Sequence, residues 1–201
     1  MFGWKVDSNT QRFSVFPTLI YVIDIPEVVE DLGDILSAVK WRMPDDDRSG
    51  SESFFVLDEY QHLKDLFTER VNTAVSELQY TVPLKLTTSW FFRLKPGAKH
   101  PKHKHTNSFW SASFYFEKGE REALNISAPA HAINVPVNTQ DMGIVPYGRL
   151  SFPAECGKLI LFPSHMEHWV NENTFNKTRH VLAMNFMPDG ETGFLDSTFT
   201  Y

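Results

Sequence analysis

Apolar residues return at three- and four-residue steps between residues 26 and 80, and at every second residue from 82 onward. The first spacing gathers a stripe on one side of a helix, and the second lays one face along a strand. In PEVVEDLGDILSAVKW, Val28, Val29, Leu32, Ile35, Leu36 and Val39 form such a stripe behind Pro26, which suits the first position of a helix. Leu63, Leu66, Phe67, Val71, Ala74, Val75 and Leu78 form a second stripe, and Asp58 with Gln61 three residues on resembles a capping box. The charged stretch MPDDDRSGSES, residues 43–53, reads as an exposed loop between the two helices.

Beyond residue 82, Val82, Leu84, Leu86, Trp90, Phe92 and Leu94 share one parity, while Lys85, Thr87, Ser89, Arg93 and Lys95 share the other. This predicts a half-buried strand ended by Pro96-Gly97. A second strand, 109–117, alternates Trp110, Ala112, Phe114 and Phe116 against Ser111, Ser113 and Tyr115. Shorter strands are predicted at 123–127, 149–153, 157–163 and 178–187, with an early, peripheral one within 13–25 that Pro17 limits at its start. An α/β parallel fold needs helices between its strands, and no helical period follows residue 80. The pattern predicts one domain over residues 1–201: an all-β core, a small antiparallel barrel or jelly roll at about 82–190, buttressed by two α-helices at about 26–80.

Composition narrows the function classes. The net charge of −6 is modest and the acidic residues are spread out, so no basic face is available for a nucleic acid. The one cysteine, Cys156, excludes an intramolecular disulfide and a multi-cysteine zinc cluster, fits a reducing compartment and is expected to be a buried bystander. No apolar run approaches the roughly 20 residues that cross a bilayer, and MFGWKVDSNTQRF has no charged region followed by an apolar core. The expectation is a cytoplasmic protein without membrane or nucleic-acid partners, its oligomeric state open, a homodimer included.

Five of the eight histidines fall at two strand ends: His100, His103 and His105 before the second strand, and His165 and His168 after GKLILFP. In extended chain, residues two apart project to the same side, so His103 and His105 share a side and His100 points away unless the loop bends. A third ligand from a distant strand end closes a site suited to Fe(II), Zn(II), Mn(II) or Cu(II). KHPKHKH read alone is also a solvated basic loop, and a lone His168 is also a core residue satisfied by backbone. The coincidence of both clusters with strand ends and with Arg179, eleven positions after His168, favours the site. Arg179 offers a planar fork matched to a carboxylate and shares its face with Val181, Ala183 and Asn185, while His180, Leu182, Met184 and Phe186 form the packed face. Tyr115 and Ser113 stand on the less apolar face of their strand, within reach of a cavity ligand.

The order His103-Lys104-His105, the Ser-rich strand Ser111 to Tyr115, Gly157 to Ser164, His168, Arg179 and Asn185-Phe186 resembles the iron(II)- and 2-oxoglutarate-dependent oxygenases. It is most similar to an uncharacterised bacterial and phage group related to prolyl hydroxylases; FPTLIY at 16–21 and TSWFFRLKPG at 88–97 are similar too. The resemblance implies a double-stranded β-helix, a cupin-like jelly roll with the iron at its mouth. It implies His103 and His168 as metal ligands, Arg179 as the partner of the far carboxylate of 2-oxoglutarate, and Tyr115 and Asn185 as further cosubstrate contacts. It also implies hydroxylation of a small molecule or a peptide, with succinate and CO2 as co-products.

Two positions depart from the family pattern. Position 105 is histidine where the wider superfamily has Asp or Glu, which leaves three ligand sets: all-histidine from His103, His105 and His168; two histidines and water; or a carboxylate from Glu117 or Glu167. The first is favoured. Ala112 replaces a usual glycine, a matter of packing. The competing functions are a cupin-type metal enzyme using three histidines without 2-oxoglutarate and a non-catalytic jelly-roll binding module. Substrate identity is not encoded, although residues 118–148 are suited to cover the cavity mouth.

Overall fold

The structure is a computed structural model and describes residues 18–117, 122–128 and 148–201. The chain opens with β1 (Tyr21–Asp24), a 3-10 turn at Pro26–Val28 and α1 (Val29–Ser37). Next come β2 (Arg48–Gly50), inside the predicted loop, and α2 (Gln61–Ala74). The capping-box expectation fails: Val56–Glu59 forms a 3-10 turn, α2 starts behind Tyr60 without a side-chain cap, and Asp58 instead pairs with Lys64 at 2.6 Å.

Eight strands follow: β3 (Leu84–Leu94), β4 (His100–His103), β5 (Trp110–Tyr115), β6 (Glu122–Ser127), β7 (Arg149–Pro153), β8 (Lys158–Pro163), β9 (His168–Val170) and β10 (Arg179–Pro188). They pair antiparallel in a nest, β3 with β10, β4 with β9, β5 with β8 and β6 with β7. The nested hairpin folds over on itself, so along each of its two arms successive strands fall alternately in a major sheet, β1-β8-β5-β10-β3-β2, and a minor sheet, β4-β9-β6-β7. This is the double-stranded β-helix that the sequence predicts. Pro96-Gly97 makes the first corner: Gly97 has φ +81° and the Ala98 N–H donates to the Lys95 carbonyl at 3.0 Å, a turn whose third position needs glycine. A last short hairpin, β11 (Glu191–Thr192) with β12 (Phe199–Thr200), closes the chain.

Two apolar cores result. The larger lies between the helices and the outer face of the major sheet, with Leu32, Phe67, Val71, Phe91, Phe114, Leu182, Met184 and Phe186 buried in it. The smaller fills the barrel interior, with Tyr115, Leu124, Ile126, Ile160 and Phe162. The expected split of β10, bulky on one side and open on the other, is therefore observed.

The single alternation predicted for β3 does not hold through its length. Thr87 is an extra residue, because Phe186 pairs with Leu86 while Asn185 pairs with Thr88, and the Thr87 hydroxyl donates to the Asn185 carbonyl at 3.1 Å. Such a bulge reverses the faces beyond it. Leu84 and Leu86 face the helices before it; after it Ser89 and Phe91 do, and Thr88, Trp90 and Phe92 turn toward the barrel mouth. Cys156 is exposed rather than buried, in the turn before β8, its thiol donating to the Phe116 carbonyl at 3.3 Å. Among the described residues no helix is long and apolar enough to cross a membrane. The expectation for residues 118–148 lies, apart from 122–128 and 148, outside the described residues.

Candidate metal centre

β4 and β9 run side by side with His103 opposite His168, which brings residues from two distant strand ends onto one level of the barrel. Their ring centroids are 4.2 Å apart, and the His105 ring, just past β4, lies 5.0 Å from His168 and 5.4 Å from His103. One nitrogen from each of the three lies within 4.8 Å of the other two, the only such grouping among the described residues.

The remaining ring nitrogens are all tied. His103 Nδ1 lies 2.9 Å from the Pro101 carbonyl, His168 Nδ1 3.0 Å from the Met166 carbonyl, and His105 Nδ1 2.7 Å from the Asn185 carboxamide oxygen. A carbonyl oxygen can only accept, so each Nδ1 carries a proton, and Nε2 is the nitrogen left to face an ion. Burial reinforces this: it pushes the His168 imidazole down to about 3, and lowers His105 despite the Asn185 bond. Three imidazoles, oriented through their far nitrogens, are a donor set for a borderline divalent ion.

A chain of polar groups backs His105. Ser111 Oγ bridges His105 Nδ1 (2.9 Å), Asn185 Oδ1 (2.9 Å) and Ser164 Oγ (2.7 Å); Ser164 reaches Ser108 at 2.7 Å, and Asn185 Nδ2 donates to Thr88 at 3.0 Å. Asn185 thus meets the ligand ring. Ser108, Ser111 and Ser164 were not singled out for this, although the polar parity of Ser111 and the FPS of β8 carried the signal. Glu117 is engaged elsewhere, with His180 Nδ1 and backbone N–H at 3.1 Å, and Glu167 is exposed beside Lys102 at 3.5 Å. Neither carboxylate joins the histidines.

The bend that the parity argument allows for is present, and His100 does not point away. The register of β4 against β9 shifts between His100 and His103, and the two rings lie 4.3 Å apart. The far face of His100 rests on Phe92 at 4.5 Å, and burial pushes its imidazole down to about 3.

Arg179 opens β10. Its guanidinium is half-buried, Nη2 reaches the Asn173 carboxamide oxygen only at 3.4 Å, and Nη1 is buried with no partner among the described residues. Burial lowers its pKa and the Tyr115 hydroxyl raises it in turn; the group stays charged. Tyr115, whose phenol burial pushes up, lines with Arg179, Asn173 and Ala154 a cavity of about 460 Å³. Asn173, which no sequence pattern flagged, is 1% exposed and fixes the loop before β10 by donating to the Leu94 (2.9 Å) and Lys177 (2.8 Å) carbonyls.

Comparison with known proteins agrees with this arrangement. The family model described as "Putative 2OG-Fe(II) oxygenase" matches residues 88–185, the stretch from the β3 bulge to Asn185. That stretch is a 2OG-Fe(II) oxygenase core. Among solved structures, the core and its helices are similar to the non-heme alpha ketoglutarate dependent epimerase SnoN from nogalamycin biosynthesis (TM-score 0.64, 13% identity, 86% of this chain and 77% of that one). They are similar to HygX from Streptomyces hygroscopicus, solved with nickel, 2-oxoglutarate and hygromycin B (0.58, 13%, 85% and 83%). A Pseudomonas putida prolyl-4-hydroxylase also matches (0.55, 16%, 86% and 94%). No curated protein matches the oxygenase core or the rest of the chain by sequence.

Proposed function

We propose that this chain, as one domain over residues 1–201, is an Fe(II)- and 2-oxoglutarate-dependent dioxygenase that hydroxylates a small molecule or a peptide or protein side chain. The observation that carries the reading is the pairing of three converging imidazole nitrogens with a half-buried guanidinium whose buried Nη1 lacks a partner among the described residues, inside one double-stranded β-helix. A buried, unpartnered charged donor is costly unless an anion meets it, and a carboxylate fits the fork of Arg179. The donor set fits the metal: each imidazole is tied at Nδ1, which leaves Nε2 to meet the ion.

In this reading His103, His105 and His168 hold the iron and Arg179 grips the far carboxylate of the 2-oxo acid, with Tyr115 beside it. When bound, the iron and 2-oxoglutarate supply dioxygen activation coupled to oxidative decarboxylation to succinate and CO2. The chain orients and excludes water. Asn185 and Ser111 keep the His105 ring in its ligating tautomer and, in this reading, bind the ligand ring rather than the cosubstrate. Trp90, 5.6 Å from His105, and Phe92 wall the mouth. A reducing cytoplasm fits a chain with one cysteine.

Anaerobic addition of Fe(II) and 2-oxoglutarate tests the reading: a visible charge-transfer band at one equivalent is expected, with succinate formed on admitting air. Absence of both refutes it. One observation favours a second reading: the third ligand is a neutral imidazole rather than a carboxylate, as in cupin-type enzymes that need no 2-oxo acid. Stoichiometric metal binding without any band separates the two.

A further inference from the structure

Four histidine rings stack at the barrel mouth, and three of them are accounted for. His103, His105 and His168 each have Nδ1 within 3.0 Å of a carbonyl oxygen. His100 differs: its Nδ1 is buried and has no hydrogen-bond partner among the described residues. Buried polar atoms in folded proteins are nearly always satisfied, so an unsatisfied one beside a ligand site marks a group awaiting its ligand. His100 is not part of the grouping of metal-competent nitrogens, so the ion is not that ligand.

Position along β3 says what is. Trp90 lies against His105, Phe92 against His100 at 4.5 Å, and Leu94 pairs with Arg179. These three strand residues are two apart, each step advancing roughly 6.6 Å along the sheet. His100 therefore stands at the level between the metal centre and the guanidinium. A dicarboxylate that bridges those two spans the level at which His100 stands. A neutral imidazole has one N–H to donate and one lone pair, so it can serve an oxygen of such an acid.

We propose that His100 is a further binding residue of this site, donating a hydrogen bond to an oxygen of the 2-oxo acid held between the three-histidine centre and Arg179. The assignment rests on the oxygenase reading above and adds a contact to it. It also gives the orphaned atom a purpose that a packed core histidine would not need.

The test is anaerobic titration of 2-oxoglutarate into Fe(II)-loaded protein, alongside a separate metal titration, for the wild type, His100→Phe and His100→Asn. Phenylalanine keeps the stacking on Phe92 and His103 and removes the polar atoms; asparagine retains a donor near Nδ1. A hydrogen bond to a charged oxygen accounts for about tenfold in affinity. The expected result is weakening of 2-oxoglutarate by about that factor in His100→Phe, recovery of most of it in His100→Asn, and metal affinity unchanged in both. Equal affinity of His100→Phe and wild type overturns the role of His100 alone. Loss of metal binding in both variants also overturns it, by making His100 a ligand or a support of one. No 2-oxoglutarate binding by the wild type overturns the oxygenase reading, and this contact with it.

Discussion

Replacing Arg179 by alanine removes the group on which the 2-oxo acid reading depends most. In the structure the guanidinium has one long contact, 3.4 Å to Asn173, and a buried Nη1 without a partner among the described residues, so two donors remain for a carboxylate. Charge-assisted hydrogen bonds contribute about 1.5–3 kcal/mol in total at a half-buried site of this kind, which corresponds to a Kd for 2-oxoglutarate weakened roughly 10–150-fold. Arg179→Lys keeps the charge and loses the fork, and falls between. Metal affinity stays at the wild-type value, because Arg179 makes no contact with the histidines. Stability does not fall either, since the substitution removes an unsatisfied buried donor rather than a good bond. The assay is anaerobic titration of the charge-transfer band together with metal analysis and a thermal melt. A Kd within threefold of wild type, or a variant that loses its metal, refutes the reasoning.

The other predictions concern the shell around this contact. His103→Ala or His168→Ala leaves two imidazoles and reduces bound Fe(II) or Co(II) to substoichiometric levels on elemental analysis; retention of one equivalent removes that residue from the ligand set. Asn185→Leu keeps the volume and loses the acceptor for His105 Nδ1, so metal affinity drops about 10–100-fold while 2-oxoglutarate affinity at saturating metal holds. The reverse split would make Asn185 a cosubstrate contact. Burial raises the pKa of Glu117, but the bonds and charge of His180 outweigh it and hold the group below its ordinary 4.5. That stability is present above 4.5 and is lost as pH falls through the depressed value, so the acid limb of Tm against pH flattens in Glu117→Gln.

Much of this was legible because β-structure writes burial into parity. Trp110, Ala112, Phe114 and Phe116 against Ser111 and Tyr115 gave the two faces of β5 directly, and Leu182, Met184 and Phe186 those of β10. The HxH and the distal histidine could be paired through their coincidence with strand ends and through the family order, although nothing local to KHPKHKH announces a strand. β4 is short, contains Pro101 and is irregular in register, so periodicity cannot see it, and the orientation of His100 turns on a bend that parity alone does not decide. Thr87 hid in a similar manner. An inserted residue leaves the alternation of letters intact while exchanging the faces of everything after it, and Trp90 and Phe92 were assigned to the wrong side accordingly. Ser164 and Asn173 act through backbone and side-chain bonds whose partners lie far away in sequence, where no spacing rule reaches.

The nested pairing also bears on how the chain acquires its shape. The innermost hairpin, β6 with β7, closes across the shortest separation, and each pair outward must enclose all those within it, up to β3 with β10. Closure entropy rises outward, so the imidazoles of His103 and His168, one layer in from the last pair, meet late. An ion that joins them staples most of the barrel's length in a single step. If these imidazoles hold the ion proposed above, metal supply during synthesis bears on the yield of native protein as well as on activity.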